Sequence, residues 1–285
     1  MKKFVFLADL FAEDYVGGAE LTTQALIEES IPGSVVKKFR CSQLSLTDID
    51  DYKDCHWIVC NFSHLAPFLK LHLIKSVEYS MVEYDYKFCV FRSLELHKIK
   101  TGKECDCAAD DKNKVNLAFY GYAKKIWFMS DKQRAIFLDN VRTIKPENTE
   151  TLNSVFSRGD LNFITSLKDN PKDETYLIVK SNSWVKGYNN CLSYAKKNKL
   201  KHEVVSDMHY HELLIKLSTS KGLIFLPDGA DTCPRLVMEA QMLGCDLVLN
   251  DLVQHKDEDW AQSQEKCFKH IETRASKFWS YYEEV

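Results

Sequence analysis

Short apolar runs rich in β-branched and aromatic residues alternate along this chain with longer stretches whose apolar residues recur every three or four positions. That alternation leaves few folds open. In the first half the runs are Phe4-Val5-Phe6-Leu7, Val35-Val36 with Phe39, Trp57-Ile58-Val59-Cys60, Tyr79 to Val82 and Ile126-Trp127-Phe128-Met129. Between them, Ala19 to Glu29, Leu65 to Lys75, Lys114 to Ala123 and Lys132 to Leu138 carry helical spacing. Strand and helix in turn predict an α/β architecture, a parallel sheet with helices on both faces.

The rhythm breaks once. Residues 139–172 hold the polar, proline-bearing segments Thr143 to Asn148 and Lys168 to Pro171, which read as connection or turn. It then restarts with Tyr176 to Val179, a helix over about 188–198, Glu203-Val204-Val205, a helix over about 209–219, Gly222 to Leu226, a helix over about 234–243 and Asp246 to Leu249. A chain of 285 residues is long enough for two domains at about 150 residues each. The expected domains are 1–150 and 151–285, with the charged, aromatic-bearing segment 257–285 as a terminal helix packed across the body. Ligands of open α/β sheets bind beyond the carboxyl ends of the strands, so two such domains facing each other would place a site in the cleft between them.

Charge excludes one class of partner. Lys and Arg number 38 against 41 Asp and Glu, a net charge of −3, whereas a nucleic-acid footprint shows a basic excess. The apolar run after Met1-Lys2-Lys3 is shorter than a secretory signal and ends at Asp9. No apolar stretch approaches the roughly 18 residues that span a bilayer. Cys55, Cys60, Cys89, Cys191, Cys245 and Cys267 lie in or beside apolar segments as small hydrophobes; a reducing cytoplasm is expected.

The loops after the strands carry the chemistry. In Leu226-Pro227-Asp228-Gly229-Ala230-Asp231-Thr232-Cys233-Pro234-Arg235, a strand ends, a turn follows and a helix begins near Pro234. Helix N-termini attract anions, and a cation in the first turn opposes the helix dipole unless it faces one. Arg235 therefore reads as a diphosphate clamp, the alternative being a solvated surface Arg. Asp231 and Glu239 lie within reach of the same ligand, although two acids at this spacing also describe a solvated helix face. Lys186-Gly187 follows the strand at 176–179, and Val205 to Leu214, with Tyr210, forms a further loop and helix. In the first half, Val16-Gly17-Gly18-Ala19-Glu20 opens a helix where glycine permits close backbone approach, and Glu83-Tyr84-Asp85-Tyr86 ends a strand with both acids on one face.

These segments, in this order, resemble the donor-site signature of retaining glycosyltransferases of the GT-B fold, family four. The resemblance implies two Rossmann-like domains, the first on the acceptor side and the second binding a nucleotide diphosphate sugar. It implies donor contacts from Gly17, Gly18, Lys186, Tyr210, Thr232, Cys233, Arg235 and Glu239, with Asp85 and Asp231 as the catalytic acids. Ser130 is similar to a family serine at a strand end. No cofactor and no metal are expected. The partners implied are the donor and a glycan, lipid-linked or small-molecule acceptor. Asp231 stands where the family has Glu, and Tyr84 where it often has His, so a non-catalytic nucleotide-sugar binder, or an epimerase or phosphorylase on the same architecture, remains open. Cys89, His97, Cys105 and Cys107, spaced C-x7-H-x7-C-x-C, include the residue types that ligate zinc, but the spacing matches no finger. A flexible, charged loop over 98–114 with reduced thiols is the reading favoured.

Overall fold

The computed structural model describes residues 2–181 and 183–283. The chain divides into two compact units, Met1–Val155 with Ala275–Val285, and Phe156–Arg274. No helix among the described residues is long and apolar enough to cross a membrane.

In the first unit β1 (Phe4–Ala8), α1 (Gly18–Glu28), β2 (Val35–Arg40), α2 (Leu46–Asp51), β3 (His56–Val59), α3 (Pro67–Ser76), β4 (Glu78–Glu83), α4 (Leu94–Thr101), α5 (Lys114–Gly121), β5 (Ile126–Phe128), α6 (Asp131–Asn140) and β6 (Thr149–Thr151) follow in order. The six strands form one parallel sheet in the order β2-β1-β3-β4-β5-β6. All five residues of β1 and all four of β3 are buried, as expected of strands covered on both faces.

The second unit runs α7 (Arg158–Leu167), β7 (Tyr176–Val179), α8 (Tyr188–Lys197), β8 (His202–Val205), α9 (Tyr210–Thr219), β9 (Gly222–Phe225), α10 (Arg235–Met242), β10 (Asp246–Leu249) and α11 (Gln264–Ile271). Its parallel sheet has the order β10-β9-β7-β8. Counted within its own unit, each sheet places its first strand between its second and its third. Strand order reverses there, and in doubly wound sheets that is where the loops part and a ligand is admitted.

The closing helix α12 (Arg274–Glu283) returns to the first unit. Trp279 Nε1 donates to the Leu26 carbonyl at 2.9 Å and Trp127 Nε1 to Tyr282 Oη at 3.2 Å. The Trp279 ring meets Phe4 edge-on at 5.0 Å. The terminal helix assigned with the second domain from sequence thus has its aromatic face buried in the core of the first. The single helix expected over 257–285 is divided into α11 and α12. The segment 139–172, read as connection, contains β6 and α7. β6 is three residues of Thr-Glu-Thr with no apolar signature and exists by pairing with β5. α7 is capped by Ser157, whose side chain accepts from the Asp160 N–H, a cap concealed between proline-bearing flanks.

One buried group in this core gives a pH dependence. His56 lies between Phe4 and Tyr282, with Nε2 sharing a 2.9 Å hydrogen bond with Ser80 Oγ. Burial, with a lesser push from Lys2, lowers its pKa from 6.5 to about 4. A base depressed in the folded state takes up a proton on unfolding, so this contribution is lost as pH falls from 6.5 toward 4. Between pH 7 and pH 5 the loss is about 2 kcal/mol. Urea unfolding at both pH values should show that much less dependence in His56→Gln; identical dependence in the two proteins would mean His56 ionises freely.

Candidate functional site

In the second unit the strand reversal lies between β7 and β9, and the loops after these strands bring Lys186 and Asp231 together. Lys186 ends a single 3-10 turn, Trp184–Lys186, and Gly187 follows with φ +61°. A Cβ on Gly187 would fall 1.8 Å from the Leu226 carbonyl oxygen, so only glycine lets the two loops touch. The contact is fastened by the Asp228 N–H donating to the Val185 carbonyl at 2.9 Å and by Asn190 Nδ2 donating to Asp228 Oδ1 at 2.7 Å. Across it Lys186 Nζ donates to Asp231 Oδ2 at 2.6 Å, with the lysine side chain 38% exposed and the aspartate 12%. Asp231 is itself held at the backbone: its N–H donates to the Leu252 carbonyl and its carbonyl accepts from Gln254. Thr232 and Cys233 follow, both buried.

Arg235 and Glu239 lie one turn apart on α10 and are not open to solvent. The Arg235 guanidinium, 3% exposed, stacks 3.7 Å from the Phe156 ring centroid. Its Nη2 donates to Asp160 Oδ2 and to Tyr210 Oη, each at 3.1 Å. Tyr210 Oη donates onward to Glu239 Oε1 at 2.9 Å, and Arg235 Nε lies 3.5 Å from the same oxygen. Burial raises the Glu239 pKa, with Arg235 and Tyr210 opposing it. Arg235 is thus no solvated surface residue but part of a closed network joining α10 to α7 and α9. Five of the eight α10 residues besides Arg235 are also buried, and a helix covered on so much of its surface has no room for an unpaired Arg.

In the first unit the reversal lies between β1 and β3. Asp9, after β1, accepts from the Ser63 and His64 N–H groups after β3 at 2.8 and 2.9 Å. Gly17 caps α1 where a Cβ would meet Glu20 Oε2 at 2.5 Å, and Gly18 is the first residue of that helix. Glu20 is buried, which raises its pKa, while Asn61 hydrogen-bonds it and Arg92 and Lys87 pull the other way.

The acids at the end of β4 separate. Glu83 is fully buried, accepting from Lys87 Nζ at 2.6 Å and from Tyr120 Oη. Asp85 is 23% exposed at its side chain and accepts from Lys87 Nζ at 3.1 Å and from both Nε (2.8 Å) and Nη2 of Arg92. Burial pushes Asp85 upward, but Lys87 and Arg92 outweigh it and its pKa falls. Gln133 Nε2 pins this strand end by donating to the Glu83 and Asp85 carbonyls at 3.2 and 2.9 Å. Ser130, with its side chain accepting from the Gln133 N–H at 3.1 Å, is a buried helix cap. Tyr84 Oη is hydrogen-bonded to Thr23 Oγ1 at 2.7 Å. Lys87, Arg92 and Asn61 were not singled out from the sequence; Glu20 was visible only as the end of the Gly-Gly-Ala-Glu segment.

Comparison with solved structures identifies this fold. Anabaena Alr3699/HepE, solved in complex with UDP-glucose, superposes with a TM-score of 0.65 at 9% identity, covering 100% of each chain. Trehalose-6-phosphate synthase OtsA gives 0.63 at 11% identity over 100% of this chain and 99% of that one. A UDP-forming α,α-trehalose-phosphate synthase from Burkholderia xenovorans gives 0.57 at 9% identity, over 97% and 91%. No family model matches the chain, and no curated protein matches it by sequence. The chain has the GT-B glycosyltransferase fold, with two Rossmann-like α/β domains built on parallel sheets of six and four strands.

Proposed function

We propose that this protein is a glycosyltransferase that moves a sugar from a nucleoside diphosphate donor to an acceptor hydroxyl, with retention of configuration. The observation that carries the reading is the half-exposed Lys186 ammonium at the strand reversal of the second sheet, positioned by Asp231 at 2.6 Å. A cation fixed at that place meets the charge that grows on a departing diphosphate without reorganising, and the N-terminal end of α10, just beyond Asp231, adds its dipole. Asp231 acts on the donor sugar beside the ammonium it holds. Arg235, Glu239 and Tyr210 support the donor side as a rigid buried frame, and Thr232 and Cys233 form the turn into α10. On the acceptor side Asp85 accepts the acceptor hydroxyl, because two of its carboxylate's roughly four lone-pair positions serve Arg92 and one serves Lys87. This chemistry needs no divalent cation on the diphosphate, so added Mg2+ should leave turnover unchanged.

Calorimetric titration with UDP and UDP-glucose, the donor held by the HepE structure, tests the reading, alongside other nucleoside diphosphate sugars by thermal shift. A ligand at 100 times its Kd adds about 2.7 kcal/mol of stability. Absence of binding by every such nucleotide would sink the proposal, and binding without release of nucleoside diphosphate to any acceptor or water would make the protein a binder. Lys186→Ala should weaken donor binding by about 1.5–3 kcal/mol, the range for hydrogen bonds to charged groups. Its urea midpoint should barely move, since the side chain is substantially exposed; equal donor affinity in the variant would remove Lys186 from the site.

A further inference from the structure

The segment between β4 and α5 contains a cluster that the transfer chemistry does not use. Cys89, His97, Cys105 and Cys107 each contribute one ligand atom, and these four atoms lie within 4.8 Å of one another. Cys89 and His97 are buried, Cys105 and Cys107 half-buried. The segment is folded rather than open: α4 starts at a Ser93 cap and ends at Gly102 in the left-handed region, and 3-10 turns follow at Cys107–Ala109 and Asp111–Asn113.

His97 Nδ1 lies 3.7 Å from Cys89 Sγ and 3.5 Å from Cys107 Sγ. Around zinc, with Zn–S about 2.3 Å and Zn–N about 2.0 Å, a tetrahedron has S···N edges of about 3.5 Å and S···S edges of about 3.8 Å. A neutral imidazole nitrogen has either one proton or one lone pair to offer, so Nδ1 can serve only one of the two thiols that face it, while Cys89 Sγ also reaches the Ser93 carbonyl at 3.5 Å. A cation at the centre satisfies all four groups. The far nitrogen of His97, Nε2, has Asp106 Oδ1 3.9 Å away, the side on which metal-bound imidazoles keep a carboxylate.

We propose that Cys89, His97, Cys105 and Cys107 form a structural zinc site. Three thiolates and an imidazole select zinc over harder cations, and four protein ligands leave no open position, which marks a structural site rather than a catalytic one. Its place in the fold gives it a task. The turn that carries Cys89 also carries Lys87 and Arg92, the two partners of Asp85. Asn113 Nδ2 already ties that turn to the cysteine pair, donating to the Phe88 carbonyl at 2.6 Å and to the Cys107 carbonyl at 3.1 Å. A metal through Cys89 locks the same connection covalently and fixes where Arg92 meets Asp85.

Elemental analysis of the full chain, purified without chelator or affinity-tag metal under reducing conditions, decides the matter and is independent of any sugar-transfer assay. The expected result is one zinc per chain, with Cys105→Ser and Cys107→Ser each retaining less than about a tenth of it. Reconstitution with Co(II) should give the visible bands of tetrahedral thiolate coordination, lost in the same variants. Should those variants fail to fold, the wild-type zinc content and cobalt spectrum stand as the test. Metal-free protein with all its thiols titratable, a disulfide among the three cysteines, iron in place of zinc, or zinc retained in the Cys89→Ser/Cys107→Ser double variant would each overturn the assignment.

Discussion

Arg235→Ala should cost about 3–5 kcal/mol of folding stability, the range for removing one partner of a buried ion pair. Such a loss is a fifth or more of what a domain has, at roughly 5–15 kcal/mol in total. The size follows from what the guanidinium leaves behind. Asp160, Tyr210 and Glu239 all lose a partner, and Phe156 loses the plane stacked on it. Glu239 suffers most, because its carboxyl is already pushed upward by burial and Arg235 is what restrains it. Without Arg235 its folded pKa rises further above the unfolded value of 4.5, so holding the carboxyl ionised in the core costs more. A raised acid contributes stability below the unfolded pKa and loses it as pH climbs through the folded one. The gap between variant and wild type should therefore narrow as pH drops from 7 toward 5. Urea unfolding at both ends reads this directly. Replacing both partners, as in Arg235→Met with Glu239→Leu, should recover much of the loss, since a well-packed apolar pair often matches a buried ion pair. A variant that unfolds at the wild-type midpoint while binding donor poorly would instead restore the open phosphate clamp.

The contrast between Arg235 and Lys186 shows where sequence reasoning reached and where it stopped. Both were visible as cations beside strand ends, because strand–loop–helix order is written in the apolar periodicity and β7, β9, α8 and α10 fall close to where that periodicity puts them. Which cation is buried depends on layers. α7 supplies Asp160 and lies in a segment whose prolines read as connection, so Arg235 had no visible counter-ion. A sharper reading was available: Arg235 and Glu239 are four apart on a helix otherwise rich in Leu, Val, Met and Ala, and charges on a buried face must pair.

Lys87 and Arg92 were hidden for another reason. Charged residues in a loop look like solvated surface, and only the fold shows that the chain turns back at Cys89 to bring both onto Asp85. β6 and the split of α11 from α12 depend likewise on long-range partners. The cluster of Cys89, His97, Cys105 and Cys107 was legible as residue types, but its unfamiliar spacing concealed that α4 carries His97 back to the cysteines.

Asp85→Asn should lower turnover by about 10²–10³-fold, the scale for deleting one positioned electrostatic partner of a transition state, while donor affinity stays near wild type. Donor binding is placed on Lys186 and its frame in the second unit, whereas Asp85 lies just after β4 of the first. An interaction made only in the transition state lowers kcat and kcat/KM together, so the signature is an equal fall in both with an unchanged Kd for UDP-glucose. The Asp85 pKa sharpens the expectation. Lys87 and Arg92 outweigh the burial that opposes them and hold the carboxyl below its ordinary value of 3.8. A group so held is ionised at neutral pH. It is a weak base and no acid, and its contribution is a fixed charge with one oxygen lone pair aimed at the acceptor hydroxyl. Asp85 should therefore add no step of its own at its ordinary value of 3.8 to the acid limb of the pH–rate profile, and the variant should be slower by the same factor on both sides of neutrality. Fold is not the confounder, because asparagine keeps the side-chain volume, Lys87 retains Glu83 as a partner at 2.6 Å, and the exposed Arg92 side chain can be solvated. Full turnover in Asp85→Asn would reduce Asp85 to an anchor for the 85–92 turn. The catalytic acid would then be Asp231, and Asp231→Asn would show the matched fall in kcat and kcat/KM instead.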